Sequence, residues 1–338
     1  MAHKPPDKEA LRKEYDQLGT NYKKLEDELK GDLRLCLEQA RIRVLSVESR
    51  VKDFDSFWAK AYQKGCDNPL QDVQDICGIR VICYYPSDLE PVCEVINDEF
   101  KVVEFEDKAD SLKTQEFGYR SRHFIVAPAE HSLRTPRYRG LDGLKAEIQV
   151  RTIFDHAWAE LSHELDYKKE EYAPKRFHKR LYQLSAMLDN LDGQFDELRR
   201  EKGQYTSDVS EEAKRSGVFD AEQELNIDSL TALLDFRFPD KVKGPELTSY
   251  LLGLLHSLDM SMGELLKTLD TVEDILPLAQ AELVKVQGPW YETQPATVLT
   301  ALALANDHFA QENLEFMSRG ELAMYDKWRA KLSDSTAK

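Results

Sequence analysis

Residues 146–168 read AEIQVRTIFDHAWAELSHELDYK. The first seven alternate: Ile148 and Val150 fall on one side, and Glu147, Gln149 and Arg151 on the other. That is the period of a strand with one apolar and one polar face. From Ile153 onward apolar residues recur at helical spacing, so the strand is expected to run directly into a helix. Three polar groups on one face line a pocket or meet water, while the other face needs a core. The combination points to an α+β architecture.

Working outward, GIRVICYY (78–85) predicts a buried strand ending at Pro86, KVVEFEDK (101–108) an alternating strand, and HFIVAP (123–128) a third. With 145–152 these make a small mixed or antiparallel β-sheet. Helices are expected over 56–65, closed by Gly65, over 88–100 with Pro91 in the first turn, and over 153–169 and 177–201. Leu18, Tyr22, Leu25, Leu29, Leu33 and Leu37 stand at helical spacing and predict one or two amphipathic helices within 7–48. The two Pro and two Gly of 128–145 predict a loop or hairpin. After about residue 203 the character changes. SDVSEEAKRSG (207–217) reads as a polar linker, LNIDSLTALLDFRFPD (225–240) as a short helix with a Pro stop, and three or four helices follow. Leu247, Leu251, Leu254 and Leu258 form an apolar stripe that reads as core.

Composition narrows the function. Of 338 residues 41% are hydrophobic and 32% charged, the balance of a globular chain. No apolar run approaches the roughly 18–20 residues that span a bilayer. The opening MAHKPPDKEALRKEY has no apolar h-region, so neither signal peptide nor membrane association is expected and a cytoplasmic location is. Five cysteines without CxxC spacing read as free thiols. The net charge of −16 argues against general nucleic-acid affinity. Basic residues nevertheless gather between Arg41 and Arg50 and between Arg134 and Lys145, which suits a small phosphorylated ligand.

Four stretches place chemistry on apolar elements. In SRVKDFDSFWAK, Arg50, Lys52, Ser56 and Lys60 lead into a helix N-terminus, which favours anions; alone, this is equally a solvated basic face. In DICGIRVICYY, Asp75 opens an apolar strand and Arg80 lies inside it. An arginine there must be paired or aimed at a ligand, and Asp75 is one available partner. In EFGYRSRH, Tyr119 offers a surface on which a base can stack, or a core ring, with Arg120, Arg122 and His123 beside it. The fourth stretch is the opening one. His156, Glu160 and His163 share one helix face there, in an order unlike that of zinc proteases. Taken together, Asp75 and Glu147 can hold Mg²⁺, the cations can take a triphosphate, and Arg80 and Tyr119 can cover two bases.

These stretches, in this order, resemble the synthetase domain of the RelA/SpoT family, which makes the alarmones pppGpp and ppGpp. The resemblance covers about residues 40–200 and implies a nucleotidyltransferase-like synthetase domain at 41–202, after an N-terminal helix at 1–40 and before a helical accessory region at 203–338. It implies transfer of pyrophosphate from ATP to the 3′-OH of GDP or GTP, leaving AMP. Arg50 and Arg80 would sandwich adenine, and Lys52, Ser56 and Lys60 would contact the ATP phosphates. Asp75 and Glu147 would hold Mg²⁺, with Glu147 also the general base. Tyr119 would stack on guanine, Gln149 and His156 would line the acceptor site, and Lys108, Lys113, Arg120 and His123 would meet acceptor phosphates. Arg122 departs from the apolar residue usual there, so it is a further phosphate contact or an influence on acceptor choice. No hydrolase region fits before residue 40, and alarmone breakdown is not expected. Toxic relatives modify tRNA 3′ ends or adenine nucleotides, and the basic stretch RTPRYRGLDGLK (134–145) leaves a tRNA acceptor open. A non-catalytic nucleotide sensor is the remaining alternative. The sequence leaves a homo-oligomer open as well.

Overall fold

The structure is a computed structural model and describes residues 7–108, 121–165, 175–306, 309 and 319–336. The chain divides into two compact units, residues 1–199 and 200–338.

Five strands form one sheet in the first unit: β1 (Val44–Val51), β2 (Cys77–Cys83), β3 (Lys101–Asp107), β4 (Arg122–Ala127) and β5 (Ala146–Thr152). Their order is β1-β2-β5-β4-β3, with β2 and β5 parallel and every other pair antiparallel, so the sheet is mixed as expected. The sequence reading missed β1. Its polar residues Ser46, Glu48, Ser49 and Arg50 look like a basic connector, yet Val47 is buried and the strand pairs along β2 from Val44 to Val51.

Register divides the sheet into two chemically different faces. On one, Ile79, Val81, Ile148, Val150, Phe124 and Val126 are buried with Leu25, Leu29 and Leu33 of α1 (Lys8–Gln39), as are Val92 and Ile96 further along the chain. Burying each such side chain contributes about 1.5–3 kcal/mol. The N-terminal helix is therefore part of this unit's core rather than an appendage. On the other face Arg80 stands opposite Gln149, and Gly78 opposite Glu147. Gly78 keeps this row low, leaving room between Arg50 and Glu147.

Helices α2 (Phe54–Lys64), α3 (Pro69–Asp72), α4 (Leu89–Glu99), α5 (Glu130–Leu133) and α6 (Ile153–Glu164) complete the first unit. Asp53 caps α2 by accepting from the Ser56 amide at 2.9 Å, and Gly65 ends it in the left-handed conformation at φ 64°. A single helix, α7 (Lys175–Ser216), replaces the expected linker. The stretch 207–216 holds no Gly or Pro to stop it; Gly217, at φ 72°, does.

The second unit is built of helices joined by short connections, with no strand among its named elements: α8 (Ile227–Arg237), α9 (Pro245–Ser257), α10 (Met262–Thr271), α11 (Leu276–Gln287), α12 (Gln294–Ala305) and α13 (Arg319–Thr336). Its centre is α12, QPATVLTALALA, buried from Gln294 to Leu304 and apolar all round as a central helix must be. Leu251 is fully buried and Leu247 and Leu254 pack partly against the same core, whereas Leu258 ends 37% exposed. All five cysteines are free thiols. Burial raises Cys77 and Cys83 to about 12. Among the described residues no helix is long and apolar enough to cross a membrane.

Candidate active site

A cleft of about 100 Å³ opens on the polar face of the sheet, lined by Glu48, Arg50 and Lys52 from β1 and its exit, Asp75, Gly78 and Arg80 from β2 and its approach, and Glu147 and Gln149 from β5. The volume suits an ion with a phosphoryl group; the bulk of a nucleotide would have to lie along the open edge.

Asp75 precedes β2, where the chain rises into the sheet. Its Oδ2 accepts from Lys60 at 2.6 Å and lies 3.0 Å from the Lys52 ammonium. Burial pushes the pKa of Asp75 up, but the hydrogen bonds from Lys60 and Lys52 outweigh burial and hold it below the ordinary carboxylate range. The other oxygen, Oδ1, is buried without a hydrogen-bond partner. Lys52 is fixed in turn by its backbone, whose amide donates to the Ile76 carbonyl at 2.8 Å and whose carbonyl accepts from the Tyr15 hydroxyl.

Glu147 is oriented at both oxygens. His123 Nδ1 donates to Oε1 at 2.9 Å and Gln149 Nε2 to Oε2 at 2.7 Å. Burial raises its pKa, the His123 hydrogen bond and charge and the Gln149 bond lower it further than that, and the negative charge of Asp75 works against them. The two carboxylates thus sit within each other's field on one cavity. Among the described residues no three His, Cys, Asp or Glu side chains gather into a metal site. Two carboxylates with a buried unpaired oxygen form no closed cage. Their oxygens fit the chemistry of magnesium, which takes one or two carboxylates and completes its shell with water and phosphate.

Arg80 does not pair with Asp75. Its Nη1 donates to Glu160 Oε1 on α6 at 2.9 Å. The same oxygen lies 3.8 Å from Nη2 of Arg151, which is only 2% exposed, and 3.8 Å from Nδ1 of His156. Burial and then Arg151 lower the pKa of His156. Glu160 was legible in the sequence only as a neighbour of two histidines. Its partner lies on a strand 80 residues earlier, and no local pattern carries that.

The remaining candidates are scattered. Ser56 is exposed and its hydroxyl donates to Asp53 at 2.7 Å, so in this structure it serves the helix cap and stands outside the cleft lining. Lys108, just past β3, pairs with Glu106. Lys113, Tyr119 and Arg120 lie outside the described residues. Arg122 corrects the sequence reading. Strand alternation sends it to the face opposite His123, where it meets Glu90 at 2.7 Å, Asp107 at 3.3 Å and the Cys93 sulfur at 3.4 Å. Within the basic stretch, Arg137 is paired to Glu28 and Asp32 of α1, so part of its charge is spent inside the protein.

Residues 49–172 match the family described as a region found in RelA / SpoT proteins. GTP pyrophosphokinase YwaC of Bacillus subtilis (strain 168) is 31% identical over 160 residues, covering 46% of this chain and 73% of that protein. GTP pyrophosphokinase YjbM of the same organism is 29% identical over 212 residues, covering 60% and 97%. Among solved structures, small alarmone synthetase 1 from Bacillus subtilis bound to its product pppGpp is 29% identical and covers 56% of this chain and 98% of that one, with a TM-score of 0.48.

Proposed function

The chain belongs to the RelA/SpoT family through its (p)ppGpp synthetase domain, and from that premise we propose that it transfers pyrophosphate from ATP to the 3′-OH of GDP or GTP. One observation carries the reading: Asp75 and Glu147, remote in sequence, line one cleft with Arg50, Lys52, Arg80 and Gln149.

In this proposal Arg50 and Arg80 take the adenine between their guanidinium planes, and Lys52 and Lys60 turn from Asp75 toward the phosphates. Asp75 and Glu147 would hold magnesium, which when bound supplies charge neutralisation on the phosphate oxygens. Glu147, steadied by His123 and Gln149, accepts the proton of the ribose 3′-hydroxyl. The freed oxygen bonds to the β-phosphorus, the bond from that phosphorus to the α–β bridging oxygen breaks, and AMP leaves with the electron pair. Tyr119 stacks on guanine, and His156 lines the acceptor side.

The test incubates purified protein with ATP, Mg²⁺ and GDP or GTP, and identifies products by mass spectrometry. A 3′-pyrophosphorylated guanine nucleotide and AMP are expected, with Glu147→Gln and Asp75→Asn each losing at least about a hundredfold in rate. Full activity in Glu147→Gln would overturn the mechanism. Product on a tRNA 3′ end or on an adenine nucleotide instead would keep the chemistry and overturn the acceptor.

A further inference from the structure

We propose that Glu160 is a positioning residue for ATP, fixing the Arg80 guanidinium edge-on so that its face stays open to the base; this rests on the reading of Arg80 given above. An arginine that stacks uses the face of its guanidinium, while the N–H donors radiate from the edge in the plane of the group. Glu160 Oε1 accepts from Nη1 at 2.9 Å and so takes an edge position. Arg80 alone, on an open sheet face, would sample many rotamers and stack only in some of them.

The surroundings explain why a carboxylate is needed at this place. Arg80 is in register with Gln149 and Ile82 with Arg151, which puts the two arginines diagonally on neighbouring parallel strands. Their like charges repel, and His156 adds a third basic group. Glu160 Oε1 meets all three, at 2.9, 3.8 and 3.8 Å. A single oxygen therefore keeps Arg80 from being pushed away from the buried Arg151. Glu160 itself is 55% exposed, and an ion pair this wet adds little to stability. Its effect belongs to geometry, which separates a positioning role from a structural one.

The experiment is a double-mutant cycle on the full chain. Calorimetry measures affinity for a non-hydrolysable ATP analogue with Mg²⁺, and separately for GDP, in wild type, Glu160→Gln, Arg80→Ala and the double variant. Glu160→Gln is expected to weaken the ATP analogue by about three- to thirtyfold, the range of one cation–π contact. GDP affinity should fall by clearly less than that, since Glu160 stands 3.8 Å from His156 but 2.9 Å from Arg80, and the double variant should bind the ATP analogue no worse than Arg80→Ala, because the carboxylate acts through the arginine. Unchanged ATP affinity, equal weakening of ATP and GDP, or full additivity with Arg80→Ala each overturns the proposal. If Glu160→Gln fails to fold, Glu160→Asp supplies the same cycle with a shortened side chain. Wild type that binds the ATP analogue yet makes no pyrophosphorylated product sinks the proposed reaction while the cycle still judges Glu160; wild type that binds no ATP sinks both.

Discussion

Asp75 has been taken largely out of water and then given two ammonium groups, and its titration follows from that. Its folded pKa lies below the unfolded one, so its contribution to stability is present above the ordinary aspartate value of about 3.9 and is lost as pH falls through the folded pKa. Asp75→Asn should cost about 1.5–3 kcal/mol near neutral pH, the size of a charged hydrogen bond, and that difference should shrink toward pH 3. Urea midpoints at pH 7, 5 and 3 read it directly; a difference that is constant with pH would show that Asp75 is not held as a paired carboxylate. At this scale the sequence was informative where alternation speaks. Glu147 and Gln149 on one face of β5, and Asp75 at the mouth of β2, were readable from spacing. The pairing of Arg80 was not, since Asp75 and Glu160 are equally acidic on paper and only the tertiary fold chooses between them.

Among the elements, α1 shows why a pattern can be read correctly and its place in the fold missed. Its apolar stripe was plain, but a stripe does not say what covers it, and the answer is the apolar face of the sheet. Leu29→Ala should destabilise the first unit by about 2–5 kcal/mol in denaturant melts, as a cavity at a fully buried leucine does. Strand β1 went unread because charged and hydroxyl residues sit on the face that borders the cleft. A strand edging a polar site carries fewer apolar residues than its pairing deserves. Arg122 lies on β4 with its guanidinium among Glu90, Asp107 and Cys93, away from the cleft. Arg122→Met should therefore lower the melting temperature and leave the ratio of GDP to GTP turnover within about twofold, with the ion pairs worth about 1–3 kcal/mol. A large change in that ratio would place Arg122 back at the acceptor.

Taken as a molecule, the chain holds two separate hydrophobic clusters, one built on the sheet and one around α12. Scanning calorimetry should resolve two transitions, and Leu251→Ala should lower one of them by about 2–5 kcal/mol while leaving the other in place. A single transition that moves as a whole would mean that the two units melt cooperatively. The helical character of the second unit was legible from periodicity, whereas the state of 207–216 was not: it is polar enough to pass for a connector yet lies within α7 and keeps Ala213 buried in that unit's core. The distribution of sulfur gives this division a practical use. Every cysteine precedes residue 94, so no thiol belongs to the second unit. Cys77 and Cys83 bracket the inner strand β2 with no exposed surface, and maleimide can reach them only when that strand opens. These two thiols are thus a chemical clock for one half alone, silent while the other half comes apart.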